Sequence, residues 1–198
     1  MRKVSDYYSK KAKKDKYPAR SVYKLEEVQK KYQLLRRGDS VLDLGCYPGS
    51  WSLYASEIVG PKGVVAGVDL QQADKQPRPE GADIHWICED ICSTEMVAAV
   101  RRIRPRFKVL LSDLAPRTTG SRWADHQQSI ELARTTLKLA ETLLLPGGNY
   151  LVKVFQGEDF PVFFAEVKEK FTGAKTLKPQ SSRTESREVF VLGTGYRN

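Results

Sequence analysis

Short apolar runs alternate with longer amphipathic stretches from about residue 40 onward, an order that predicts βα units around a mostly parallel sheet. Ser40–Leu44 and Val64–Asp69 read as buried strands separated by a helix over 50–59. Ile84–Cys88 is a weaker third strand and Lys108–Asp113 a fourth. A long helix over 124–145 follows, in which Ile130, Ala133, Leu137, Ala140 and Leu144 recur at helical spacing and should face the sheet. Pro146-Gly147-Gly148 should stop that helix ahead of a fifth strand, Asn149–Phe155. A helix over 158–171 carries Phe163, Phe164, Val167 and Phe171 on one stripe, which core packing explains, and β segments near 174–178 and 188–194 close the chain. Before the sheet, Ala19–Lys31 patterns as a helix with Val22, Leu25 and Val28 on one side and Lys24 displaced from them. Residues 1–17 show no apolar period, so 1–18 is expected to be a loosely held arm ahead of a single domain over 19–198.

Composition narrows the class. A chain of 198 residues, 40% of them hydrophobic, suits one well-filled core. No apolar run approaches the roughly 20 residues that span a bilayer, and the opening Met1-Arg2-Lys3 is no signal-peptide core; a soluble, cytoplasmic protein without membrane attachment is expected. Cys46, Cys88 and Cys92 fit no disulfide framework and only His85 and His126 could join them at a metal, so buried free thiols and no metal are expected.

Charge is unevenly spread. Residues 1–40 hold thirteen Lys or Arg against five Asp or Glu, so that +8 of the formal +9 sits in one fifth of the chain. Tyr7, Tyr8, Tyr17, Tyr23 and Tyr32 interleave with these cations, a mixture suited to gripping phosphates and stacking bases, although a solvated basic tail would look the same.

In open α/β folds ligands bind beyond the carboxyl ends of the strands. There the chain has Asp43-Leu44-Gly45-Cys46-Tyr47-Pro48-Gly49-Ser50-Trp51, a turn whose glycines allow close approach of a ligand. Asp69 ends the second strand 24 positions after Gly45, where a carboxylate can accept from both hydroxyls of an adenosine ribose, and Asp90 follows the third strand, placed for an adenine edge. The glycine spacing does not fit a dinucleotide site. Asp43 and Asp113 would also repel a pyrophosphate, yet they tolerate a cationic sulfonium, which favours S-adenosylmethionine.

With those residues in place, the sequence resembles the FtsJ-type (RrmJ) family of RNA 2′-O-ribose methyltransferases, its bacterial large-subunit ribosomal RNA members in particular. The likeness rests on Arg20-Ser21-Val22-Tyr23-Lys24-Leu25, Asp43-Leu44-Gly45, Pro48-Gly49-Ser50-Trp51 and Ser112-Asp113-Leu114-Ala115-Pro116. It continues through Pro146-Gly147-Gly148, Val152-Lys153-Val154-Phe155-Gln156-Gly157 and Ser181 to Val189. The resemblance implies a Rossmann-like methyltransferase fold, a mostly parallel seven-stranded sheet with an antiparallel last strand. It also implies a catalytic tetrad at Lys24, Asp113, Lys153 and Glu188, with Lys153 the proton acceptor, and an S-adenosyl-L-methionine site lined by Gly49, Trp51, Asp69, Asp90 and Asp113. The substrate so implied is RNA, a uridine ribose of large-subunit ribosomal RNA, and a monomer is expected. Cys46-Tyr47 and Ser50 replace the family's usual Ala-Ala and Gly around that turn, and Leu114 its usual Met.

Methyl transfer to a hydroxyl needs in-line attack and removal of a proton. Lysine has a pKa of about 10.4 and needs desolvation or a neighbouring cation to act as a base; Lys24 could be that cation, while Asp113 and Glu188 oppose it. A cation in the apolar run Tyr150–Phe155 is costly to bury unless paired, which singles out Lys153. His85 and His126 are expected to be structural. The rival readings are a 2′-O-methyltransferase of transfer RNA or a messenger RNA cap, a non-catalytic RNA-binding module, and a nucleotide-dependent oxidoreductase.

Overall fold

A computed structural model describes residues 2–182 and 186–197, with side chains from residue 7 onward. Strands β1 (Ser40–Leu44), β2 (Val64–Asp69), β3 (Asp83–Cys88), β4 (Phe107–Ser112), β5 (Leu144–Phe155), β6 (Phe171–Leu177) and β7 (Glu188–Tyr196) build one sheet in the order β3-β2-β1-β4-β5-β7-β6. Strands β1 to β5 pair in parallel, and β7 runs antiparallel to both β5 and β6. This is the mixed seven-stranded sheet that the sequence predicts.

Alternation of side chains along each strand feeds two cores. On one face Leu42, Leu44, Leu110, Val152 and Val154 pack beneath α4 (Thr94–Ile103), α5 (Arg122–Leu143) and α6 (Phe160–Lys170). On the other, Val41, Val109, Leu111, Leu151, Phe190 and Leu192 meet α2 (Val22–Tyr32) and α3 (Ser50–Val59). Helix α2 is held there by buried Leu25 and Val28, each contributing about 1.5–3 kcal/mol of apolar burial.

The structure departs from the sequence-based expectation in four places. Where a loose arm is expected there is a helix, α1 (Arg2–Lys14); Tyr8 and Ala12, one turn apart, settle on Tyr23 of α2. Helix α4, unforeseen, starts at Ser93, whose hydroxyl accepts from the Met96 N–H, and is anchored by Met96 and Val100. Pro146-Gly147-Gly148 does not separate α5 from β5. Pairing starts at Leu144 opposite Phe107 and resumes at Asn149 opposite Val109, so the three residues belong to a bulge, where a strand can accommodate proline. Finally, Phe171 leaves the α6 stripe to open β6, where its ring stacks on Tyr150 with centroids 5.5 Å apart. No helix among the described residues is long and apolar enough to cross a membrane.

Candidate active site

The two-residue period of the strands gathers the candidate residues on one face. Asp43 follows Val41, Lys153 follows Leu151, and Glu188 precedes Phe190 and Leu192, all on the side covered by α2 and α3. Asp113 continues the row of Val109 and Leu111 one position past β4. Register aligns them further: Ser112 lies beside Val152, so the next residues, Asp113 and Lys153, are neighbours, while Lys153 lies opposite Phe190 on β7. Helix α2 brings Lys24 over the same end.

Two ion pairs result. Lys153 Nζ lies 2.9 Å from Asp113 Oδ1 and donates to the Asp113 carbonyl at 2.6 Å, with its side chain only 5% exposed. The ammonium is aimed at the carbonyl, so Oδ1 is in ionic contact without a well-directed hydrogen bond. Lys24 Nζ donates to Glu188 Oε2 at 2.9 Å. Burial pushes the Glu188 carboxyl up, but Lys24, then Lys153, and hydrogen bonding outweigh it and hold the group below its ordinary value. Glu188 thereby feels both lysines, which joins the pairs into one coupled set.

Beside the tetrad, Asp43, Asp69 and Asp113 lie close enough to repel one another around the turn at Gly45 and Gly49. Gly45 and Gly49 have φ of +79° and +105°, and a Cβ on Gly45 would come within 2.7 Å of Leu114 Cδ2. Asp69 closes this turn: its Oδ2 accepts from the Tyr47 N–H at 3.0 Å and its Oδ1 from the Gln71 N–H at 2.9 Å. Asp90 is exposed just past β3, with Oδ1 accepting from the Cys92 N–H at 2.9 Å. Asp43 is fully buried; Oδ2 accepts from the Ser52 hydroxyl at 2.6 Å, whereas Oδ1 has no hydrogen-bond partner. Burial above all, reinforced by repulsion from Asp113 and Asp69, raises its pKa to about 7 despite the Ser52 bond. Converging carboxylates with an orphaned buried oxygen suit a ligand that carries positive charge.

Several placements were not foreseen. The Trp51 indole is buried in the core, tilted against the Phe190 ring with centroids 5.7 Å apart and donating from Nε1 to the Ser21 carbonyl at 2.9 Å. What Trp51 can offer a ligand is its backbone N–H in the first turn of α3, where such groups lack helical partners. Ser50, standing where the resembled family usually has glycine, accepts from the Ala19 N–H at 2.7 Å and fastens the approach to α2 onto the turn. Of the three free thiols only Cys46 is buried; Cys88 and Cys92 are exposed because they lie at and just beyond the end of edge strand β3. Trp123, 67% exposed at the start of α5, follows Arg122, whose carbonyl accepts from Arg187 beside Glu188. His126 is structural, with Nδ1 against the Phe155 carbonyl at 2.9 Å and Nε2 accepting from the Asp159 N–H at 3.1 Å. Arg183, Thr184 and Glu185 of the motif from Ser181 to Val189 lie outside the described residues.

A family profile described as FtsJ-like methyltransferase matches residues 17–196. A protein of Desulfotalea psychrophila named ribosomal RNA large subunit methyltransferase E is 66% identical over 197 residues, which is 100% of this chain and 98% of that one. Its namesake in Desulfosudis oleivorans is 45% identical, over 97% of this chain and 91% of its own. Among solved structures, a Plasmodium falciparum chain described as a ribosomal RNA methyltransferase superposes with a TM-score of 0.78 at 28% identity, covering 91% of this chain and 98% of that one.

Proposed function

The chain belongs to the FtsJ-like methyltransferase family, and from that membership we propose that it methylates a ribose 2′-hydroxyl, that of a uridine in large-subunit ribosomal RNA, with S-adenosyl-L-methionine as donor. Large-subunit ribosomal RNA is in the names of its relatives at 66% and 45% identity, and the uridine 2′-hydroxyl within it follows from the family resemblance. The observation that carries the chemistry is the pair of buried Lys153 with Asp113 at 2.9 Å and Lys24–Glu188 beside it, next to the carboxylates Asp43 and Asp69.

S-Adenosyl-L-methionine supplies a methyl group on a positively charged sulfur. Asp69 and Asp90 hold its ribose and adenine, the turn at Gly45 and Gly49 gives it room, and Asp43 and Asp113 favour its charge. Lys153 takes the hydroxyl proton. A neutral amine keeps two N–H bonds, enough for both the carbonyl and Oδ1 of Asp113, and leaves its lone pair for the 2′-hydroxyl. Glu188 fixes Lys24 in place, its Oε2 accepting from Nζ at 2.9 Å.

The test is methyl transfer to large ribosomal subunits isolated from cells lacking the corresponding mark, read by mass spectrometry of the digested RNA. One 2′-O-methyluridine per subunit is expected. Transfer to transfer RNA but not to subunits would move the assignment to another RNA, and a base-methylated product would overturn the ribose chemistry.

A further inference from the structure

A second basic site lies at the opposite end of the sheet from Lys153. A cavity of about 780 Å³ opens between the amino ends of β1, β2, β4 and β5, over Val64, Pro105 and Leu145. Four cations line it: Lys62, Arg101, Arg104 and Arg106. Among the described residues Lys62, Arg101 and Arg104 make no ion pair, and Arg106 meets only the Leu144 carbonyl, at 3.4 Å. An adjoining cavity of about 610 Å³ shares Val64 and Arg104 with the first and adds Arg102, so that one basic groove runs across the starts of β3, β2, β1 and β4.

Helix dipoles explain some of this charge. The carboxyl ends of α3, α4 and α5 point to this end of the sheet, and each is equivalent to roughly half a negative charge. With the nearby carboxylates Asp39 and Asp83 added, the compensation still falls short of Lys62, Arg101, Arg102, Arg104, Arg106 and Lys108 by roughly two and a half charges. Cations gathered around an open cavity without counter-charges repel one another, and an anion relieves that repulsion. Arginine forks also match phosphate oxygens in pairs.

We infer that this groove binds the phosphodiester backbone of RNA at a distance from the methylated nucleotide. Two adjoining cavities lined by Lys62, Arg101, Arg102, Arg104 and Arg106 fit a repeating chain of phosphates better than one compact anion, and the proposed action on ribosomal RNA, on which the choice of RNA rests, supplies such a chain. The groove anchors the substrate while chemistry takes place at the other end of the sheet.

The test compares the full-length chain with an R101Q/R104Q variant, both residues being exposed and outside the tetrad. A fluorescent RNA hairpin is titrated at several salt concentrations without methyl donor. The variant should bind about ten-fold more weakly near physiological salt, with a salt slope shallower by about 0.7–0.9 for each phosphate that it no longer neutralises. With ribosomal subunits as acceptor, KM should rise by a similar factor while kcat and donor affinity stay at parental values. Unchanged RNA affinity and slope in a variant with parental melting behaviour would overturn the inference. So would tight binding of inorganic pyrophosphate that RNA does not displace, which would assign the groove to a small anion. RNA binding that depends on Arg101 and Arg104 in a protein that transfers no methyl group would instead sink the proposed reaction and leave the groove standing.

Discussion

Lys153 and Asp113 touch twice, ammonium to carboxylate at 2.9 Å and ammonium to the same residue's carbonyl at 2.6 Å, and both contacts come from adjacent parallel strands. An arginine at 153 would keep the charge and could reach the carboxylate, but its guanidinium does not give up a proton at working pH. Lys153→Arg should therefore bind donor and RNA and lose at least a hundred-fold in kcat, about 2.7 kcal/mol. Single-turnover transfer measures it; a loss below about ten-fold would remove Lys153 as the base.

Asp69 accepts from the Tyr47 and Gln71 N–H groups, and the proposed function adds to it the hold on the donor's ribose. Asp69→Ala should weaken donor binding by about 1–3 kcal/mol, the worth of hydrogen bonds to a charged acceptor. Asp69→Asn separates the roles: one amide oxygen still serves one backbone N–H, but the amide NH2 opposes the other. Calorimetry should find both variants impaired; parental affinity in the alanine variant would exclude Asp69 from the site.

Asp43 makes a prediction about pH. Its folded pKa of about 7 lies above the unfolded value near 3.8, so between these limits the folded state holds a proton that the unfolded state has released. Asp43 therefore lowers stability progressively as pH rises through that window and adds no further change above it. Relative to Asp43→Asn, the parent should lose about 2 kcal/mol between pH 5 and 7.5, measured by urea unfolding without donor. A cationic donor favours the ionised form, so donor affinity should rise from pH 6 to 8 in the parent and rise less in the variant. A parallel rise in both would point to another group.

The basic helix α1 calls for substitution in place of deletion. Removing residues 1–16 would also strip Tyr8 and Ala12 from Tyr23 and confound charge with packing. Lys10, Lys13, Lys14 and Lys16 are exposed, and changing them to Gln should flatten the salt dependence of RNA binding by up to about 0.7–0.9 per lysine while leaving donor affinity and melting temperature unchanged. An unaltered slope would make α1 a solvated surface helix.

Strands β1 and β2 were legible to the residue because they are buried on both faces and read as short, mostly apolar runs. The same two-residue period along β4, β5 and β7, once register is known, places Asp113, Lys153 and Glu188 on one face. What the sequence hid depends on tertiary contact. Helix α1 has too few apolar residues to declare itself and gains its support from Tyr23, eleven positions after Ala12. Helix α4 buries only Met96 and Val100 of its ten residues. The inward turn of Trp51 is set by the Ser21 carbonyl on the approach to α2, a partner no local pattern reveals.

The antiparallel strand β7 lies between β5 and β6, bonded along both edges. During synthesis β5 and β6 therefore emerge with no strand between them, and the sheet remains divided until residues 188–196 arrive. The same late segment brings Glu188, and with it the restraint on Lys24. A growing chain thus completes β1 to β5 well before it owns a complete tetrad, so that a chain cut between Phe155 and Glu188 should transfer no methyl group even where β1 to β5 have formed.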